Sequence, residues 1–207
     1  MARVKDIQRL TLKDMLFNFD TYQGLPDGLK EMPVVKVKIG LRKFPLPETM
    51  EELSNSITYG QRLFLTKKED EDFGLILRLL DGYYYPIVTG KPWDEDKALA
   101  FGKRILKCKA TEVYPAAVMM IQLLDELVGR EMKLLHRNPS KLEKAAEIDK
   151  LSPFAEMTAI DFLRDQMKVT AEEVLLKPYN ECLVRFMLAR ETADYQDRLM
   201  ELQKHQK

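Results

Sequence analysis

The chain has 207 residues, of which 45% are hydrophobic and 32% charged, and its 33 Lys and Arg balance its 33 Asp and Glu. This composition is typical of a globular protein and excludes a disordered chain or a membrane protein. Zero net charge argues against a general nucleic-acid binder, which needs a basic excess to displace counterions from phosphates. No apolar run is long enough for a signal peptide or a membrane span, so the sequence predicts a protein of a cell interior.

Two patterns open the chain. Thr11 and Asp14 form a cap-like pair that predicts a short helix over residues 10–20. From 35 to 42, apolar and mostly basic residues alternate with the period of two that is typical of a strand. We expect this strand to end at 44–47, because the two prolines there cannot donate to a ladder.

Helical patterns dominate the middle of the chain. The run 57–65 fits either a second strand or a turn into a helix, and the sequence does not choose between them. An acidic stretch precedes a helix that is expected to close at Gly82 and the Tyr-Tyr-Tyr-Pro run 83–86. The most hydrophobic helix is predicted at about 112–136, and since it is apolar nearly all round, we expect it to be buried.

Only helical patterns follow. Ser140 with Glu143 and Thr170 with Glu173 match the capping-box spacing, and each predicts the start of a helix. Pro178 then begins a long helix that continues almost to the C-terminus. Its last turns are dense in charge around a thin apolar line, which predicts a projecting or partner-facing end.

These patterns together predict a helix-dominated α+β fold, with a small N-terminal sheet followed by a helical C-terminal bundle. We place the division between a mixed part, 1–137, and a helical part, 138–207, because strand patterns stop there.

No pattern of catalytic or metal-binding residues stands out. The two histidines, His136 and His205, and the two cysteines, Cys108 and Cys182, lack the spacing of a zinc site. Each cysteine lies in a helical pattern, as buried free thiols usually do. The sequence has no glycine-rich phosphate loop and no Gly-x-Ser-x-Gly motif. It therefore predicts a protein that is not an enzyme and that needs no metal and no cofactor.

A basic strand gives one binding hypothesis. Lys36, Lys38, Arg42 and Lys43 lie on or near its outer face, and the tyrosine run that includes Tyr84 offers rings on which bases could stack. Lysines on the outer side of a strand also discourage edge pairing, which is the more common reason for them. Nucleic-acid binding is therefore kept as the alternative function.

The final segment, 158–203, has an order of helices that resembles a known group of proteins. A helix is followed by a short capped helix with the sequence Glu-Glu-Val-Leu, then by Pro-Tyr-x-Glu-x-Leu and a long helix. This order resembles the small helical domains of phage tail-assembly chaperones and related morphogenesis proteins. The runs that begin at Ile57 and Asp72 also resemble segments of small phage structural proteins.

The resemblance implies a non-enzymatic, protein-binding role in phage tail assembly, as a chaperone or as a structural component. The protein would act in the cytoplasm of the host cell or in the virion. Its implied partner is another structural protein, such as a tail or neck component, and a homo-oligomer is left open; no membrane partner is expected. On the long helix, Met187, Tyr195 and Leu199 fall near the apolar line, and we predict that they bind the partner.

Overall fold

The computed structural model describes residues 9–17, 29, 36–67 and 72–204, and these form the predicted helix-dominated α+β fold. Strands β1 (Lys36–Ile39) and β2 (Arg42–Pro45) form an antiparallel pair. The helices of the first part are α1 (Leu12–Phe17), α2 (Met50–Ser56), α3 (Tyr59–Leu65), α4 (Asp72–Thr89), α5 (Glu95–Ile105) and α6 (Ala110–Leu135). The later ones are α7 (Lys141–Ala145), a 3-10 helix (Ile148–Phe154), α8 (Ala155–Met167), α9 (Ala171–Leu175) and α10 (Tyr179–Lys204).

The predicted single strand is a hairpin instead. Gly40 and Leu41 form its two-residue turn, and Gly40 has a φ of 65°, which glycine adopts without a steric penalty. Leu41, expected inside the strand, is 97% exposed at the tip. Phe44 and Pro45 belong to β2 rather than ending β1. Proline is tolerated there because a two-stranded sheet leaves the outer side of each strand unpaired.

The hairpin and α1 lie against the start of α6. The predicted cap of α1 is confirmed, since the Thr11 hydroxyl accepts from the Asp14 N–H at 3.2 Å and the Asp14 carboxylate accepts from the Thr11 N–H at 3.1 Å. The Leu12 N–H donates to the Cys108 carbonyl at 2.8 Å. The Glu112 carboxylate accepts from the Lys38 N–H at 2.8 Å, which ties β1 to α6.

Helix α4 continues through the residues that we expected to end it. Pro86 has no N–H for the Gly82 carbonyl one turn earlier, which normally breaks or kinks a helix. The Gln61 side chain donates to that carbonyl at 2.9 Å, so the acceptor is satisfied and α4 runs on to Thr89. Gln61 also completes a capping box with Thr58, and the undecided run 57–65 is therefore a helix, α3.

Helix α6 lies at the centre of a single hydrophobic core. It packs against α1, α2, α4, β1 and α10. Its buried residues lie between Ala110 and Leu127, so the prediction of a buried helix is confirmed for its first two thirds. Five residues from the C-terminal helices join the same core: Leu163, Val174, Tyr179, Cys182 and Leu183. The division at 137 stays a prediction, and the core is continuous across it.

The C-terminal helices begin at the predicted caps. Ser140 with Glu143 and Thr170 with Glu173 form reciprocal capping hydrogen bonds, and α10 begins directly after Pro178. Both cysteines are free and buried, as predicted. Within the described ranges, no helix has the length and apolar character required to cross a membrane.

Candidate protein-binding surface

The first turn of α10 is fixed to α2 and α3. The Tyr179 N–H donates to the Ile57 carbonyl at 3.1 Å, and the Tyr59 N–H donates to the Lys177 carbonyl at 2.9 Å. The Asn180 side chain donates to the Asn55 amide oxygen at 2.7 Å. These bonds set the direction in which α10 leaves the core.

The inner face of α10 is apolar and packed. Cys182 and Leu183 are buried, and the Phe186 ring stacks on Phe162 of α8 with centroids 5.6 Å apart. Phe186 also lies 6.0 Å from the Tyr59 ring. This face therefore has its partners within the chain.

Farther along, Arg137 holds the inner side of α10 by charge. Its guanidinium donates to Asp194 at 2.9 Å, to Glu143 at 2.7 Å, and also to Asp197. The hydrogen bond from Arg137, followed by those from Ser140, lowers the pKa of Glu143 to about 2. Arg190 donates to the Leu134 carbonyl at 2.6 Å, so the end of α6 contacts α10 at several points.

The outer face of α10 carries large apolar side chains that remain substantially exposed next to the described part of the chain. Their exposed fractions lie between 41% and 66%. At about 100° per residue they fall within about 60° of one another around the helix axis. We call these five residues the α10 stripe: Val184, Leu188, Tyr195, Leu199 and Leu202. Several exposed large apolar side chains on one face of a helix are a candidate interaction site.

The structure places two of the three predicted partner-binding residues on this stripe. Tyr195 and Leu199 are exposed there. Met187 is half-buried and packs against the core, about 120° around the helix from Leu199, and therefore lies outside the stripe. Leu188 was missed, although its spacing of seven residues from Tyr195, and again to Leu202, was visible in the sequence.

A groove between α8 and α10 borders the stripe. Its volume is about 340 Å³, and it is lined by Phe162 and Gln166 of α8 and by Leu188, Thr192 and Gln196 of α10. A partner side chain that contacts Leu188 could enter this groove, so the surface is partly concave as well as apolar.

The β hairpin presents the second predicted surface. Lys36, Lys38 and Lys43 share its outer face, and Lys38 lies directly opposite Lys43 in the register. Like charges at this spacing repel each other. Among the residues that the structure describes, these three lysines and Arg42 form no ion pair with a carboxylate. The hairpin is therefore a local positive patch.

Tyr84 does not belong to that patch. Its side chain is fully buried, with Tyr83 at a ring distance of 5.1 Å and Phe44 at 6.4 Å. Burial raises the pKa of its hydroxyl. A base could not stack on Tyr84 without opening the core, so the aromatic part of the nucleic-acid hypothesis is corrected.

One carboxyl group is buried away from both surfaces. Asp81 of α4 is 2% exposed, and its Oδ1 has no hydrogen-bond partner among the residues that the structure describes. It faces α5 at Gly102, where a Cβ would come within 2.5 Å of the carboxylate. Burial raises the pKa of Asp81 to about 8. Within residues 9–17, 29, 36–67 and 72–204, no three His, Cys, Asp or Glu side chains come together as metal ligands would.

Comparison with protein-family models, with curated proteins and with solved structures gives no match for this chain. Its function therefore has to be inferred from the chemistry of these surfaces.

Proposed function

We propose that this protein is a non-enzymatic assembly protein that binds another structural protein through the α10 stripe. One observation carries the proposal: the outer face of α10 exposes five large apolar side chains, while its inner face is already packed and hydrogen-bonded. Complete burial of such a side chain contributes roughly 1.5–3 kcal/mol. A partner that covered several of them would gain enough to offset the loss of its own freedom.

The expected mode of binding is a helix laid along the stripe. Apolar residues at helical spacing on one surface fit an amphipathic helix with anchors at matching positions.

The order of α8, α9 and α10 supports a role in phage assembly. The resemblance to phage tail-assembly chaperones rests on this order. Helix α9 has its predicted capping box and α10 about its predicted bounds, whereas α8 begins at Ala155 rather than at the predicted Thr158. A tail or neck component is therefore the first partner to test.

Affinity capture from the native source tests the proposal. The tagged full chain should retain a structural protein in stoichiometric amount after a high-salt wash, because apolar burial is not screened by salt. Leu188→Glu should abolish this capture, since it places a charge in the middle of the stripe. Met200→Glu is the matched control, because Met200 is an exposed apolar residue of α10 outside the stripe. Undiminished capture by folded Leu188→Glu would contradict the proposal.

A nucleic-acid-binding function is the second candidate, and the positive patch on the hairpin favours it. Binding of a labelled duplex or single strand should weaken steeply as salt increases, because it depends on counterion release. Lys38→Glu with Lys43→Glu should remove the binding, whereas Lys103→Glu on exposed α5 should leave it unchanged. Binding that is indifferent to the hairpin variants would exclude this surface.

A further inference from the structure

The outer face of α10 has the residue spacing of a coiled-coil seam. Two lines of residues, each with a period of seven, alternate along it at intervals of three and four, which is the arrangement by which two helices pack knobs into holes. One line is Leu188, Tyr195 and Leu202, and the other is Arg185, Thr192 and Leu199. Together they extend along α10 for about 26 Å, at 1.5 Å per residue.

Arg185 and Thr192 of this seam border the groove with α8, and the remainder of the seam lies on the side of α10 away from α6. Arg190, Asp194 and Asp197, which bond to Leu134 and Arg137, lie on the opposite side of α10. The seam side chains Leu188, Tyr195 and Leu202 are each more than half exposed. A second helix can therefore approach the line of Leu188, Tyr195 and Leu202 without displacing the contacts of α10 with Leu134 and Arg137.

The charges beside the seam select the kind of helix that fits. In an antiparallel pair of two α10 helices, Leu188 meets Leu199 of the second copy and Thr192 meets Tyr195 of the second copy. The same register places Glu191 beside Arg198 of the second copy. Because the arrangement has two-fold symmetry, this ion pair forms twice.

A parallel pair lacks this complementarity. Glu191 would then face Gln196, and Arg198 would face Gln203, so no opposite charges meet across the seam. Only the antiparallel arrangement of two copies uses both charges.

Both charged side chains are available for such contacts. Arg198 forms no ion pair with any residue in the described part of the chain, and it is exposed. One carboxylate oxygen of Glu191 contacts the neighbouring Arg190, and the other oxygen remains for a partner. At the end of the seam, Leu202 would lie on the aliphatic stem of Arg185 of the second copy.

We propose that a second copy of this chain covers the α10 stripe in an antiparallel coiled coil, in the register that joins Glu191 to Arg198. This inference rests on the proposed function, because it says what covers the same binding surface before the structural partner binds. A structural partner then has to displace the second copy, so the stripe is covered until that partner is present.

Sedimentation equilibrium of the purified full chain over a wide concentration range tests the inference. Wild type and the control Met200→Glu should dimerise, and Leu188→Glu should remain monomeric. Glu191→Arg and Arg198→Glu should each weaken the dimer by at least about tenfold, because each places two like-charged pairs across the two-fold axis. The double variant Glu191→Arg with Arg198→Glu should restore the dimer, since it exchanges both partners. Circular dichroism and thermal unfolding show that each variant is folded.

Several outcomes would overturn the inference. The chain could be a monomer at every concentration, or its dimer could survive Leu188→Glu and so use another surface. Failure of the double variant to restore what the single variants lose would exclude this register.

The same variants distinguish an error in the proposed function from an error in the proposed dimer. Glu191→Arg weakens the dimer but leaves the stripe apolar, so it should capture the structural partner at least as well as wild type. A chain that dimerises as described but captures no structural protein would support the second copy and contradict the assembly role.

Discussion

Helices α6 and α10 have 26 residues each, but they bury very different parts of themselves. Ten residues of α6 are buried, whereas α10 buries only Tyr179, Cys182 and Leu183. Helix α6 has neighbours on several sides, from α1 and the hairpin to α4 and α10. Helix α10 has its neighbours on its inner side, and its outer side carries the stripe.

The difference lies both in the residues and in their neighbours, since α6 is apolar nearly all round whereas α10 has a thin apolar line among charged residues. On α6, the large apolar side chains between Val113 and Leu127 pack within the chain, and the result is stability. On α10, a line of apolar side chains remains exposed, and it is available for association. Variants of α6 and of α10 should therefore affect stability and association separately.

The largest expected change in the free energy of unfolding follows from a loss of packing around α6. Leu127 is 1% exposed, so Leu127→Ala should lower the free energy of unfolding by about 2–5 kcal/mol, through lost burial and a new cavity. Leu188→Ala, the same change on the stripe, should alter it by less than about 0.5 kcal/mol in the monomer. Urea unfolding of dilute protein measures both values. Equal losses would mean that the outer face of α10 is packed within the chain.

A smaller change in the free energy of unfolding is expected from Asp81, the carboxyl group buried in the core. The pKa of Asp81 is raised, so the folded state binds its proton more tightly than the unfolded state. The associated stability is fully present below about pH 4 and is lost as the pH rises through about 8. Asp81→Asn should therefore raise the free energy of unfolding at pH 8 by about 2 kcal/mol and flatten its decline with pH.

Thermal unfolding between pH 5 and pH 9 would measure the effect of Asp81→Asn. Asp96→Asn, an exposed change on α5, serves as the control and should follow wild type. A variant that unfolds more readily than wild type at high pH would mean that the Asp81 carboxylate has a stabilising partner.

The smallest expected effect is local and concerns the second half of α10. Arg137→Gln removes the bonds to Asp194 and Asp197, so amide hydrogen exchange beyond Arg190 should become faster. Lys133→Gln removes a charge from the exposed side of α6 and should leave exchange unchanged. Unchanged exchange in Arg137→Gln would show that the inner apolar contacts alone hold the helix.

The same contacts should respond to acid. The pKa of Glu143 is lowered from 4.5 to about 2, so the contribution of its bond to Arg137 is present above pH 4.5 and is lost as the pH falls toward 2. The protection of amides near α7, corrected for the intrinsic exchange rate at each pH, should fall across that interval in wild type. In Glu143→Gln this protection should be low at both ends of the interval, and a persistent acid response there would assign the effect to another carboxyl.

Sequence reasoning succeeded where structure depends on nearby residues. The caps at Thr11, Ser140 and Thr170 and the start of α10 all depend on side chains within one turn of the helix. Such signals are complete within a few residues of sequence, so the helix starts could be predicted.

Sequence reasoning failed where a distant residue decides. Pro86 should have ended α4, but the amide that compensates for it comes from Gln61, which lies 21 positions before the Gly82 carbonyl that it satisfies. The choice between Met187 and Leu188 depends on which side of α10 meets the core, and neighbouring residues differ by about 100° in direction. Only the packed structure provides that angle.

The Gln61 side chain links the start of α3 to the proline-containing turn of α4. Its amide oxygen accepts from the Thr58 N–H at 3.0 Å at the start of α3, while its amide nitrogen donates to Gly82 beside the proline of α4. Neither bond forms unless the amide has this one orientation, so ordering the start of α3 places the donor that α4 requires. The two helices therefore share a cooperative unit, in which fraying at the start of one exposes the break in the other.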